Sequence, residues 1–291
     1  MLPRLPARTL VMWTTCLALS LGGPMMAAEL RPNPWPVGTS PGLTALAKAA
    51  EQNRFAYIFF WKTEGAATQQ KREAFAAAIE RLGERVDPVS VCVSAPEEKP
   101  TVDAFKVSRA PMPLVLAVAP NGAVTKAWPG DFQAATAAEG MISDAAASCL
   151  KAIQDNKLAL VSVQNSTTLH AEEAAQAVVG FLNDERFTGS VEAIFLDPAD
   201  PAEAGFLADL KVSPTTDKAV TVLLAPPGNP VATFVGGVST AAIVAKVTDA
   251  KNGCCPDGKC GPGQCCPGGK CGPTQKSSAP SAAGSAPGAS Q

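Results

Sequence analysis

Cysteine is where this chain concentrates its chemistry. Of its nine cysteines, six (Cys254, Cys255, Cys260, Cys265, Cys266 and Cys271) fall in two copies of an eleven-residue repeat, CCPDGKCGPGQ and CCPGGKCGPTQ, identical at nine positions. Three chemistries suit that pattern. Paired thiolates spaced by glycine and proline wrap a soft ion, and softness favours Cu(I) or Zn(II) on sulfur. Six is also an even number, and in an oxidising compartment the thiols pair as disulfides. Neighbours such as Cys254 and Cys255 are poorly placed to bridge each other, so each would reach a more distant partner. The third chemistry is intermolecular, with thiols on a tether crosslinking the chain to itself or to another exported or cell-surface protein. The spacing lacks the separated clips or histidines of a zinc finger. Around the sulfur there is almost no apolar side chain, so residues 251–275 build no core of their own. Residues 276–291 turn to Ser, Ala, Pro and Gly, a composition that reads as disordered.

The other candidates are sparse. A single histidine, His170, excludes multi-histidine metal sites. It precedes Glu172 and Glu173 near a helix start and reads as an exposed polar residue. Glu64 reads as solvated. Asp197-Pro198-Ala199-Asp200 reads as a turn with an N-cap. Cys92, in a strand, and Cys149, in a helix, read as small core hydrophobes. No Gly-rich phosphate loop and no Ser-His-Asp order is present. The net charge of −2 argues against a nucleic-acid partner, which needs a basic face.

The N-terminus bears on the redox state of all these thiols. Arg4 and Arg8, the apolar run Leu10–Gly22, Pro24 and Ala27-Ala28 make residues 1–28 a signal peptide for export. The run is short of the ~20 apolar residues of a membrane span. A membrane is a partner only if this segment stays uncleaved. Cleavage leaves 22 basic against 26 acidic side chains and places the remaining cysteines in a periplasmic or extracellular, oxidising setting.

The elements between these ends alternate. Residues 29–41 form a proline-rich linker. Helical spacing follows at Leu43–Asn53 and Thr68–Leu82, and a short helix at Val102–Phe105. FAYIFFW, Phe55–Trp61, is a continuous apolar run that predicts a strand buried on both faces. Val89–Val93 predicts a second strand. Leu114–Val118 and Val124–Trp128 flank Asn121-Gly122, a hairpin signal. A helix capped by Asp131 is expected next. The order then repeats: residues 47–56 align with 150–159, 106–108 with 211–213 and 119–122 with 225–228, at offsets of 103, 105 and 106. This predicts an internal duplication, with domains at 42–140 and 141–250. Each unit reads as an α/β domain with a mixed central sheet of about four strands flanked by helices.

These residues resemble the thioredoxin-like superfamily. Phe59-Phe60-Trp61 followed by a loop and a long helix is similar to the strand that enters the family's redox loop. Ala110-Pro111-Met112-Pro113 before Leu114 resembles its cis-proline segment, which implies Pro113 as the cis residue. The resemblance covers about residues 40–140 and, through the repeat, 141–250. It implies a fold of two tandem thioredoxin-like domains. It also exposes a departure. The family's Cys-x-x-Cys opens that long helix, where the helix terminus and partner thiol activate a thiolate. Here Gly65 and Thr68 take those positions, and Gln164–Thr168 takes them in the second unit. Lys218-Ala219 stands where the second cis-proline would be. No thiol–disulfide reaction runs at the usual site of either unit, so no catalytic residue is assigned. The expectation is an exported, non-catalytic binding or scaffold protein whose tail binds soft metal or forms disulfides. The alternative is a thiol–disulfide oxidoreductase whose reactive cysteines have moved to the tail.

Overall fold

Five consecutive buried residues, Ala56 to Phe60, make β1 (Phe55–Trp61) a strand covered on both faces. In this computed structural model, which describes residues 33–130 and 132–252, β1 pairs in parallel with β2 (Val86–Cys92). On its other side it pairs antiparallel with β3 (Leu114–Val118), which pairs antiparallel with β4 (Val124–Pro129). The sheet order is β2-β1-β3-β4. A second sheet repeats it as β6-β5-β7-β8, built from β5 (Leu158–Val163), β6 (Val191–Leu196), β7 (Val220–Ala225) and β8 (Asn229–Val235). Its pairings are again parallel, antiparallel and antiparallel. Two mixed four-stranded sheets flanked by helices are two tandem thioredoxin-like arrangements. The expected signal peptide, the start of the 29–41 segment, Asp131 and the whole cysteine repeat lie outside the described residues.

Helices cover both faces of each sheet. On one face of the first, α1 (Pro41–Glu51) and α3 (Lys99–Phe105) bury Leu46 and Val102 with Ile58, Phe60 and Leu116. On the other, α2 (Ala66–Leu82) buries Phe75 and Ala78 with Tyr57, Phe59 and Val115. In the second sheet α4 (Asp144–Gln154) and α6 (Ala204–Asp209) take the first face, with Cys149 and Leu207 against Val161 and Val222. The opposite face is held by α5 (Ala171–Leu182) and α7 (Thr240–Asn252), with Phe181 and Ile243 against Leu160 and Leu223.

The duplication reaches into details that no apolar pattern carries. Asn53 and Asn156 both end a helix in the left-handed region, at φ 52 and 58, and Lys106 and Lys211 do so at φ 54 and 58. Gly130 and Gly236 share φ 86. Ser40 caps α1 and Ser143 caps α4, each accepting from a first-turn amide. A buried carboxylate serves each cap region. Glu98 Oε2 accepts from the Gly42 amide at 3.1 Å and from Thr101 Oγ1 at 2.7 Å. Glu203 Oε2 accepts from Ser143 Oγ at 2.6 Å.

Two expectations need correction. After β4 the described chain forms no α-helix until Asp144; a single 3-10 turn, Ala137–Gly140, stands there. The reason is Tyr57, whose buried hydroxyl donates to the Ala137 carbonyl at 2.6 Å. Gly140 sits so close to that hydroxyl and to Ala117 that a Cβ would fall 2.6 Å from each. The part of 29–41 that is described is also more than a linker. Asn33 Nδ2 donates to Ala47 O, and Trp35 packs against Phe105 in a tilted pair with ring centroids 5.2 Å apart.

The first helix of the second unit also grips the first sheet. The Gln154 side-chain amide donates to Val124 O at 2.7 Å and accepts from Val124 N at 3.0 Å. Ala147 of the same helix packs on Ala119 and Ala123 of the β3–β4 hairpin. One helix thus serves both sheets. No helix among the described residues is long and apolar enough to cross a membrane.

Candidate functional site

In both units the strand buried along nearly its whole length ends a few residues before the start of a helix. In the first unit β1 ends at Trp61, and Gly65 caps α2 without a side-chain bond. Thr68 is buried, and its hydroxyl donates to Thr63 O at 2.9 Å. The Thr68 hydroxyl is therefore spent on closing its own loop. Arg72 of α2 lies over the Trp61 ring, 5.1 Å from its centroid, and pairs with Glu64 at 2.8 Å. Glu64, expected to be solvated, is more than half exposed and still holds this bridge. The Met112–Pro113 peptide is cis.

Sulfur approaches this junction from one place only among the described residues. Cys92 ends β2 opposite Trp61 in the strand register. It is half-buried, not a core residue as its strand position suggested. Its Sγ lies 3.2 Å from Ser94 Oγ, which in turn donates to the Lys62 carbonyl of the loop. Parity explains the difference: Val91 and Val89 point into the core, so the side chain between strand end and loop does not. Cys149 matches its expectation; it is buried in α4, and burial pushes its thiol up to about 11. The two are free thiols.

In the second unit the loop 164–170 is an Asx-type turn. Asn165 Oδ1 accepts from Thr167 N at 3.0 Å, and Thr168 Oγ1 donates to Asn165 O at 2.9 Å. Asn165 Nδ2 reaches across to Asp197 Oδ1 at 2.8 Å. The Ala199 amide, then Asn165, hold the Asp197 carboxyl below the usual carboxylate range. Asp197 thus forms the expected turn, and Asp200 caps the following 3-10 turn through Ala202 N. Leu169 pairs with Lys218, and its carbonyl accepts from Ala219 N, so the Lys218-Ala219 segment lies against the loop. His170 occupies the N-cap of α5 at φ 63, half exposed, with Nδ1 2.9 Å from Glu173 Oε2.

Two open grooves flank α5. One, of about 470 Å³, lies between Gln164, Glu172, Ala175, Phe195 and Asp197. The other, of about 620 Å³, lies between His170, Glu173, Ser239 and Thr240. Sequence reasoning missed the first, because its wall comes from β6 and its floor from α5, which are separated in the chain. The exposed apolar Phe195 was the one signal for it. Among the described residues no group of three or more His, Cys, Asp or Glu is placed to hold a metal ion. The six tail cysteines lie outside those residues.

No protein-family model matches the chain, and no curated protein does. Solved structures do. The first two thioredoxin domains of Saccharomyces cerevisiae Eps1p align over 74% of this chain and 97% of theirs, at 10% identity and a TM-score of 0.28. The zinc-bound form of human ERp44 aligns over 76% of this chain and 57% of its own, at 11% identity and a TM-score of 0.31. An N-terminal domain of the alkylhydroperoxide reductase AhpF from Enterococcus faecalis aligns over 66% and 89%, at 14% and 0.24. The chain spans a little over half the length of ERp44 that it matches. The fold assignment itself rests on the order and direction of the strands in the two sheets.

Proposed function

We propose that this thioredoxin-like protein is an exported, non-catalytic binding or scaffold protein, with its sulfur chemistry moved from the folded body to the C-terminal repeat. The observation that carries this reading is the state of the two strand-end loops. A thiol–disulfide exchange needs a thiolate, activated by a helix terminus or a neighbouring cation. Gly65 brings no side chain, and Thr68 is committed to Thr63 O. The Asn165–Thr168 loop is closed by its own hydrogen bonds and carries no sulfur. What remains is a pair of folded units, the second with two grooves, joined to a segment holding Cys254, Cys255, Cys260, Cys265, Cys266 and Cys271. Those thiols suit Cu(I) or Zn(II), or disulfides within the tail or to a second exported protein. Export follows from the signal-like residues 1–28.

The test is a Cu(I) titration of the reduced full-length protein under anaerobic conditions, beside a deletion of residues 253–275. At least one equivalent bound by the full chain and none by the deletion supports the metal-binding tail. Less than one equivalent, or equal binding by both, removes it. An insulin-reduction assay on the same pair addresses the runner-up: turnover that disappears with the tail would make the protein an enzyme.

A further inference from the structure

The two units treat one sheet edge differently. β2 and β6 are the matching outer strands of the two sheets. In β2 the Val93 amide donates to Trp61 O, so residues 93, 91 and 89 turn their backbone groups to β1. Pro88 therefore stands at an outward position, where the edge lacks an N–H. That is a common way to stop a further strand from adding. In β6 the Ser190 and Leu196 carbonyls accept from Leu158 N and Gln164 N. By the two-residue repeat Ala193 and Phe195 turn their amides and carbonyls outward. Ala193 is the counterpart of Pro88 at the offset of 105. Among the described residues nothing bonds to the outward groups of Ala193 and Phe195.

The surroundings of this open edge are chemically specific. The Phe195 ring is 50% exposed and forms a wall of the 470 Å³ groove; Val179, also 50% exposed, follows Ala171 and Ala175 at helical spacing along α5. Glu172 and Asp197 line the groove and no basic side chain does. Gln164 lines it as well.

We infer that the outer edge of β6 is a docking site for an extended peptide segment of a partner protein, one that carries a basic side chain beside an apolar one. The backbone of the segment adds to β6 through Ala193 and Phe195. Its apolar side chain covers Phe195, and its ammonium or guanidinium group lies between Glu172 and Asp197. This rests on the reading of the body as a binding module and needs nothing from the tail thiols.

The probe is a hexapeptide alternating lysine and valine, with a glutamate–valine hexapeptide as its control. Binding to the full-length protein is followed by fluorescence anisotropy and by hydrogen exchange at the Ala193 and Phe195 amides. The lysine peptide is expected to bind at least tenfold tighter than the control and to protect both amides. Ala193→Pro, which copies what the first unit carries at Pro88, is expected to weaken binding at least tenfold without unfolding the sheet. Asp197→Asn, outside the strand, is expected to weaken it severalfold and flatten its salt dependence. Deleting residues 253–291 is expected to leave affinity unchanged, so failure of the metal test and failure here are separate results. No binding, equal binding of both peptides, unprotected amides in the bound state, or full affinity in the Ala193→Pro variant each overturns the proposal. So do tighter binding after the tail deletion, which would make the tail the occupant, and a dimer that Ala193→Pro dissolves, which would make it a second copy.

Discussion

Tyr57 is the only tyrosine, so its behaviour is readable without interference. Burial pushes its phenol up to about 12, with Arg85 acting the other way. The raised folded value fixes the sign of the pH effect. The stabilisation is complete below the unfolded value near 10 and is lost as pH rises toward about 12. Phenolate absorbance of the native protein should therefore lag that of the urea-unfolded chain, and urea stability should fall across that window. A native titration matching the unfolded one would contradict the placement. Thiols give a second check at this scale. In the tail-deleted protein a mild alkylating reagent should modify Cys92 and spare Cys149, which is buried with its thiol pushed up to about 11. The duplicated caps give a third. Ser40→Ala and Ser143→Ala should each cost about 1–2 kcal/mol in urea unfolding, as N-cap removals do. Each also leaves a buried hydroxyl or carboxylate short of a partner.

Elements written in apolar runs were legible from the residues alone. FAYIFFW gave β1 its ends, and Leu114–Val118 gave β3 its ends, because burial on both faces selects continuous apolar residues. The stretch after β4 was not legible. Ala-rich residues at 134–139 favour a helix locally, yet the Tyr57 hydroxyl and the close approach of Gly140 to Ala117 hold a 3-10 turn there. Long-range contacts of this kind leave no periodic trace. Gly140→Ala is expected to cost about 1–3 kcal/mol, the usual result of overpacking a filled core. A neutral outcome by denaturation would show that the turn shifts freely. The candidate groove was illegible for a related reason. Phe195 alternates with buried Ile194 and Leu196 as any half-covered strand does, and only the sheet order shows that its strand is an edge.

At the scale of the molecule the duplication explains most of the architecture, and α4 explains why the copies stay together. A helix whose buried face serves the second sheet while Gln154 and Ala147 hold the first hairpin couples the two units. Urea unfolding is expected to follow one transition, and Gln154→Ala to lower its midpoint or split it. A wild-type curve with two separated transitions would contradict that coupling. The duplicated strand-end loops are the basis for placing the sulfur chemistry elsewhere. Both copies keep the strand, the loop and the helix start, and neither has a cysteine between them. The central claim is therefore that the sulfur chemistry belongs to residues 254–271 and that the body binds. Intact-mass measurement of the native protein, with and without reductant and with the tail present or deleted, tests it most directly. The account predicts that every disulfide and every bound metal ion disappears with residues 253–275. A disulfide or metal ion retained by the tail-deleted body would contradict it.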